Sequence, residues 1–185
     1  MKKILLSLVI LTGALFASCE KEEIGGTATQ SLAGDWVCTV YLGSVTDEGT
    51  DWTAIYGLDL LTYNTSANVS NELWLNDSKS FWGTLCKVNC NAGALTFGVK
   101  DSIYTDLYYE VGQKIWGGKV TPKGAVGPTG AKVDKIEYYI QFEDDQDDNG
   151  DPDPFGTTYY VVGYRRTGFD QGNADDYKDD WDLPE

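Results

Sequence analysis

Eight short segments rich in β-branched and aromatic residues, each bounded by Gly, Asn, Asp or Pro, restrict this chain to an all-β architecture. They span 34–43, 52–63, 70–77, 80–88, 94–99, 114–121, 133–143 and 156–167. Asn76-Asp77-Ser78-Lys79 reads as a hairpin turn between the third and fourth, and residues 89–93 play the same role between the fourth and fifth. Short sequential loops favour an up-and-down meander over long crossovers. Alternation is clearest in the seventh segment, where Ile136, Tyr138, Ile140 and Phe142 share one face and Lys135, Glu137 and Gln141 the other. One face is therefore buried and one is wet. The stretch 100–114 is expected as a loop with at most one helical turn. Eight strands with one apolar face each predict an eight-stranded up-and-down antiparallel barrel, which removes exposed edges; a two-sheet β-sandwich is the alternative.

The chain starts Met1-Lys2-Lys3, continues through apolar Ile4 to Leu11, and reaches Ala14-Leu15-Phe16-Ala17-Ser18 directly before Cys19. A basic start, a greasy stretch and small residues before a cysteine form the pattern of a bacterial lipoprotein signal, whose cysteine is acylated and becomes the mature N-terminus. The apolar run is too short to span a bilayer. Four parts are expected: a signal peptide at 1–18, a lipidated flexible tether at 19–33, a β-barrel domain at 34–169 and an acidic tail at 170–185. A Gly-rich coil of the tether's length reaches roughly 20 Å from the bilayer. Lys21-Glu22-Glu23 resembles the tag that sends lipoproteins to the outer face of the outer membrane, with periplasm-facing retention as the alternative. An outer-membrane protein partner lies within such a tether's reach.

Loss of residues 1–18 leaves 12 basic against 29 acidic side chains, a balance of −17. That charge argues against nucleic acid and against direct adhesion to anionic lipid surfaces. It is concentrated: residues 143–153 hold seven acids and no base, and residues 170–185 hold seven acids and Lys178. The chain has no histidine, which excludes Ser-His-Asp and Cys-His catalysis and any zinc site needing imidazole. It also lacks a nucleophile elbow, a P-loop and a dinucleotide-binding glycine motif.

Past Cys19 the cysteines are Cys38, Cys86 and Cys90. Cys38 lies in an apolar strand and reads as a small core residue. Cys86 and Cys90 are expected to bridge across a turn, provided their Cα atoms come within about 4.4–6.8 Å.

Gly34-Asp35-Trp36 opens the first strand and Tyr164-Arg165-Arg166 ends the last. The opening resembles the G-x-W of lipocalins and related calycins, a likeness that implies a last-strand Arg lying across the first-strand Trp. Only Arg165 or Arg166 can take that place, since consecutive residues point to opposite faces. Over nearly the whole mature chain, the order of Gly34-Asp35-Trp36, Tyr63-Asn64-Thr65, Leu73-Trp74 and Gly163 to Phe169 resembles the lipoprotein family called lipid-binding putative hydrolases. The resemblance implies a lipocalin-like barrel and a lipid-like ligand. Its name also implies a hydrolase, but no catalytic motif is present to carry over.

Three candidate sites follow. An apolar ligand would sit inside the barrel against Phe97, Ile136, Tyr138, Ile140, Phe142, Tyr160 and Val162, unless those side chains fill it. Asp145, Asp147, Asn149, Asp151 and Asp153 imitate the first half of an EF-hand loop and are candidate Ca²⁺ ligands. Position twelve, however, is Gly156, and a solvated acidic turn is the alternative. Trp52, Trp74, Trp82, Trp116 and Trp181 are either sugar-stacking platforms or core and rim packing. The leading expectation is a membrane-anchored lipoprotein binding a lipid or other small apolar molecule. A surface glycan-binding accessory of a nutrient-uptake system comes second, and a carboxylate-based hydrolase third.

Overall fold

The computed structural model describes residues 26–46, 49–168 and 181–184. The expected signal peptide, Cys19, the Lys21-Glu22-Glu23 tag and most of the acidic tail lie outside the described residues. Within them the chain is all-β, with no helix. Its strands are β1 (Gly34–Thr46), β2 (Gly49–Asn64), β3 (Glu72–Asn76), β4 (Leu85–Asn91), β5 (Thr96–Phe97), β6 (Ile103–Thr105), β7 (Gly112–Val126), β8 (Lys132–Phe142) and β9 (Tyr159–Arg165).

Apart from the pairing of the first strand with the last, neighbours in the sheet are neighbours in sequence, in the order β5-β4-β3-β2-β1-β9-β8-β7-β6. A further antiparallel pairing of β5 with β7, through Thr96↔Lys119 and Phe97↔Gly118, closes eight strands into a barrel-like ring. That seam needs Gly118: a Cβ there would stand 2.4 Å from the Phe97 ring. The ninth strand, β6, lies beside the start of β7, in the stretch expected as a loop.

Period-2 alternation builds the interior. Trp36, Cys38 and Val40 of β1, Leu58 and Leu60 of β2, Leu73 and Leu75 of β3, and Ile136, Tyr138, Ile140 and Phe142 of β8 join one buried cluster. At one end Leu32 packs under Trp36, whose Nε1 donates to Thr62 Oγ1 at 2.8 Å; the Thr62 hydroxyl in turn donates to the Leu32 carbonyl at 2.7 Å. The Trp36 indole N–H and the Thr62 hydroxyl are thus satisfied in series.

Two expectations change. The fourth strand starts at Leu85 rather than residue 80, because Asp77 gathers the preceding residues into a loop. Its Oδ1 accepts from the Lys79 N–H, and its Oδ2 accepts from the N–H groups of Phe81, Trp82 and Gly83. The Cys86–Cys90 disulfide does not form, and both thiols are free. Both lie on β4, where four residues of extended chain separate their Cα atoms by about 13 Å, beyond any disulfide's reach.

Candidate functional site

The end of the ring opposite Trp36 is closed by aromatic side chains. Phe81 and Trp82, from the loop that Asp77 holds, lie over Phe142 of β8 and Tyr159 of β9. Trp82 stacks on Phe142 with centroids 4.6 Å apart and planes 16° from parallel. Phe81 meets Tyr159 and Phe142 edge-on and also touches Tyr56. These contacts cap the interior cluster with half-buried rings, a cover made of side chains rather than sheet.

Beside the cap is an open cleft of about 590 Å³, whose apolar wall is Leu42, Trp82 and Tyr159 and whose polar wall includes Asp144, Gln146 and Asp148. Trp82 Nε1 donates to Asp144 Oδ1 at 3.1 Å, tying the two walls together. The polar wall belongs to residues 143–157, folded as a small hairpin with a Gln146↔Pro152 bridge. Asp145 is buried and fastens both ends of this loop, accepting from the N–H groups of Gln146 and Thr157. Asp147 Oδ1 accepts from the N–H groups of Asn149 and Asp151, each at 2.9 Å. The Asp151 N–H, and then that of Asn149, holds the Asp147 carboxyl below its usual range.

Of the candidate Ca²⁺ ligands, Asp145 and Asp147 are therefore engaged by the chain's own donors. Among the described residues no three acidic, Cys or His side chains converge where they could hold a metal ion. The oxygen-rich pattern serves the hairpin's turns, as Asp and Asn side chains do when they bond backbone two residues on.

The expected interior residues divide. Phe97, Ile136, Tyr138, Ile140 and Phe142 are buried in the ring, whereas Tyr160 and Val162 face outward and pack with Tyr41 in a separate cluster. Tyr159 and Val161 take the inward positions of β9. All but the last residue of this strand is buried, so its composition could not reveal its phase. The interior is filled rather than hollow along its walls, with Trp36, Phe97, Tyr138 and Phe142 contributing the bulk. Burial raises the pKa of Tyr138 well above the usual phenol range and pushes the Cys86 thiol up to about 12.

Of the two candidate barrel-closing arginines, Arg165 lies over the Trp36 ring, and Arg166 points the other way to Asp35 and Asp59. The tryptophans also separate. Trp82 belongs to the cap, Trp74 stands opposite Tyr63 on the β2–β3 pair, and Trp52 and Trp181 pack on the outer cluster, where Trp116 stacks on Tyr139. Phe81 is not evident as a site residue from the sequence, because residues 80–88 have the composition of a strand, whereas the strand begins at Leu85.

The model of one protein family, described as lipid-binding putative hydrolase, matches residues 21–170. A comparison with curated proteins finds no match.

Proposed function

The chain belongs to the lipid-binding putative hydrolase family, and we propose that it is a cell-envelope lipoprotein, tethered through acylated Cys19, that takes a lipid or other small apolar ligand at the aromatic end of its ring. Continuity of apolar surface carries this reading. Leu42, Trp82 and Tyr159 line the cleft and are also in contact with the interior cluster. An acyl chain gains the space under the cap by displacing Phe81 and Trp82, whose side chains are held over the ring by stacking and by the Trp82 bond to Asp144.

The polar wall selects the head group. Asp144 and Asp148 would lie close to any polar head held in the cleft, and like charges about 4 Å apart repel by roughly 1 kcal/mol even at the dielectric of water. The chain's overall balance of −15 acts in the same direction. Neutral or cationic amphiphiles are thus favoured over free fatty acids. The signal-type start of the sequence supports the anchor, and Lys21-Glu22-Glu23 supports display on the outer face of the outer membrane, within reach of an outer-membrane protein partner. No hydrolytic step is assigned: the chain has no histidine, and the buried carboxylates of Asp77, Asp106 and Asp145 all accept backbone N–H bonds.

The test is a naphthylamine probe that brightens in apolar surroundings, added to the mature chain. Brightening, with displacement by a monoacylglycerol at lower concentration than by the matching fatty acid, is expected. A folded protein that leaves the probe dark sinks the proposal.

A further inference from the structure

We propose that the outer face of β7, β8 and β9 carries a second ligand site, distinct from the aromatic end of the ring, that binds a short oligosaccharide. The outer face of a closed ring is ordinarily polar, yet here it holds a connected set of aromatic rings. Trp116 and Tyr139 lie 5.5 Å apart with planes 15° from parallel. Tyr139 continues to Tyr160 at 5.1 Å, and Tyr160 to Trp52 at 5.6 Å. Two of these rings, Tyr139 and Tyr160, line a groove of about 330 Å³ with Gly117, and Glu137 and Asp182 supply carboxylates to it.

Two local features keep this groove open. The pairing of β7 with β8 shifts register between Trp116 and Lys119, and Gly117 there has φ +64, a conformation that favours glycine. A Cβ at 117 would stand 3.0 Å from the Tyr139 ring, so glycine also preserves access to it. The far wall is the chain's own C-terminal segment. Trp52 Nε1 donates to the Pro184 carbonyl at 2.9 Å, fixing Leu183 and Pro184 beside Tyr160.

A pyranose suits this combination, presenting a C–H face to an aromatic ring and hydroxyl donors to carboxylate oxygens around its edge. Glu137 is held for that role: the Tyr160 hydroxyl donates to its Oε2 at 3.1 Å and Lys135 pairs with the same oxygen, which leaves Oε1 to accept from a ligand. An organic cation is the competing occupant, since rings and carboxylates attract it too. It is disfavoured by placement, because Lys135 sits on Glu137 and Lys100 Nζ lies 5.9 Å from the Trp116 centroid, adding positive charge along the platform. The volume lies near the lower end of ligand pockets, about 300–1,000 Å³, which fits one or two sugar rings.

The experiment titrates the mature chain with maltoheptaose, cellohexaose, laminarihexaose, xylohexaose and mannohexaose, followed by calorimetry and tryptophan fluorescence. At least one should bind, and Tyr139→Ala should weaken it roughly tenfold, the effect of losing one stacking contact. Glu137→Gln, which keeps side-chain shape, should weaken it several-fold and remains informative if Tyr139→Ala fails to fold. Trp82→Ala should leave saccharide binding unchanged, and Tyr139→Ala should leave the naphthylamine signal unchanged, so failure of either site is read separately. Binding by none of the five, binding insensitive to both groove variants, or binding of choline in place of the sugars overturns the proposal.

Discussion

The guanidinium carbon of Arg165 lies 4.7 Å from the centroid of the Trp36 ring, joining the last strand of the ring to the first. Trp36 is fully buried and Arg165 also pairs with Asp134 at 3.3 Å, so one side chain links β1, β9 and β8. Trp36→Ala should cost about 3–5 kcal/mol in urea unfolding, typical of emptying a large core position. Arg165→Ala should cost less, about 0.5–2 kcal/mol, because its charge stays partly solvated. A loss at Trp36 no larger than at Arg165 would mean that the floor of the ring does not depend on the indole.

The cysteines should behave unequally. Burial raises the pKa of Cys38 and Cys86, whereas Cys90 is only half-buried and its thiol is raised by partial desolvation and Glu72. Since the thiolate is the reactive form, iodoacetamide on the native domain at pH 8 should label Cys90 first, and label Cys38 and Cys86 only after unfolding. Peptide mapping checks the order. A Cys86–Cys90 bridged peptide from the native protein would contradict the β4 register.

The eight strands of the ring and their meander were legible because they rest on local pattern, alternation in β8 and glycine and asparagine at turns, whereas the Trp36 contact was implied by the resemblance of the Gly-x-Trp opening to lipocalins. Three features were not legible. The loop holding Phe81 depends on Asp77 collecting four N–H groups, a geometry no periodicity announces. The phase of β9 was hidden because both its faces are buried, the outer one against Trp52 and Trp181. The acidic hairpin reads equally as a calcium loop or a solvated turn because the same oxygen spacing serves Asx turns, and only coordinates show that Asp145 and Asp147 accept backbone N–H bonds.

Asp147 offers a pH-dependent test of that hairpin. Its carboxyl is lowered by backbone N–H bonds, so the folded hairpin gains from ionised Asp147 above the ordinary carboxylate range and loses that gain as pH falls through the lowered value. Amide exchange at Asn149 and Asp151 should accelerate in that acid window, and Asp147→Asn should abolish the pH step. Calcium at 10 mM should leave the melting temperature unchanged in both forms; a rise in the unsubstituted protein that Asp147→Asn removes would restore the metal site.

Membrane attachment is predicted to rest on Cys19 alone. Each buried acyl CH₂ contributes about 0.8 kcal/mol, so several chains on one cysteine give essentially permanent anchoring. Cys19→Ala should release the protein into the soluble fraction, whereas replacing Lys21, Glu22 and Glu23 with Ala should leave it membrane-bound but protected from protease on whole cells. A membrane-bound Cys19→Ala protein would require another attachment.

The last prediction separates a ligand held under the aromatic cap from one lodged deep in the ring. Ile140 is buried on the inward face of β8, and Ile140→Gln places an amide among apolar side chains, costing about 1–3 kcal/mol if it stays unpaired. Because the interior near Ile140 is already packed, that variant should melt earlier yet bind the naphthylamine probe almost normally per folded molecule. Trp82→Ala removes the ring stacked on Phe142 and the bond to Asp144, with little effect expected on the strands themselves. It should change probe affinity at least several-fold while shifting the melting temperature less than Ile140→Gln does. Fluorescence titration and thermal unfolding of both variants decide the matter: weakened binding in Ile140→Gln with unaltered binding in Trp82→Ala would move the ligand from the cap to the centre of the ring.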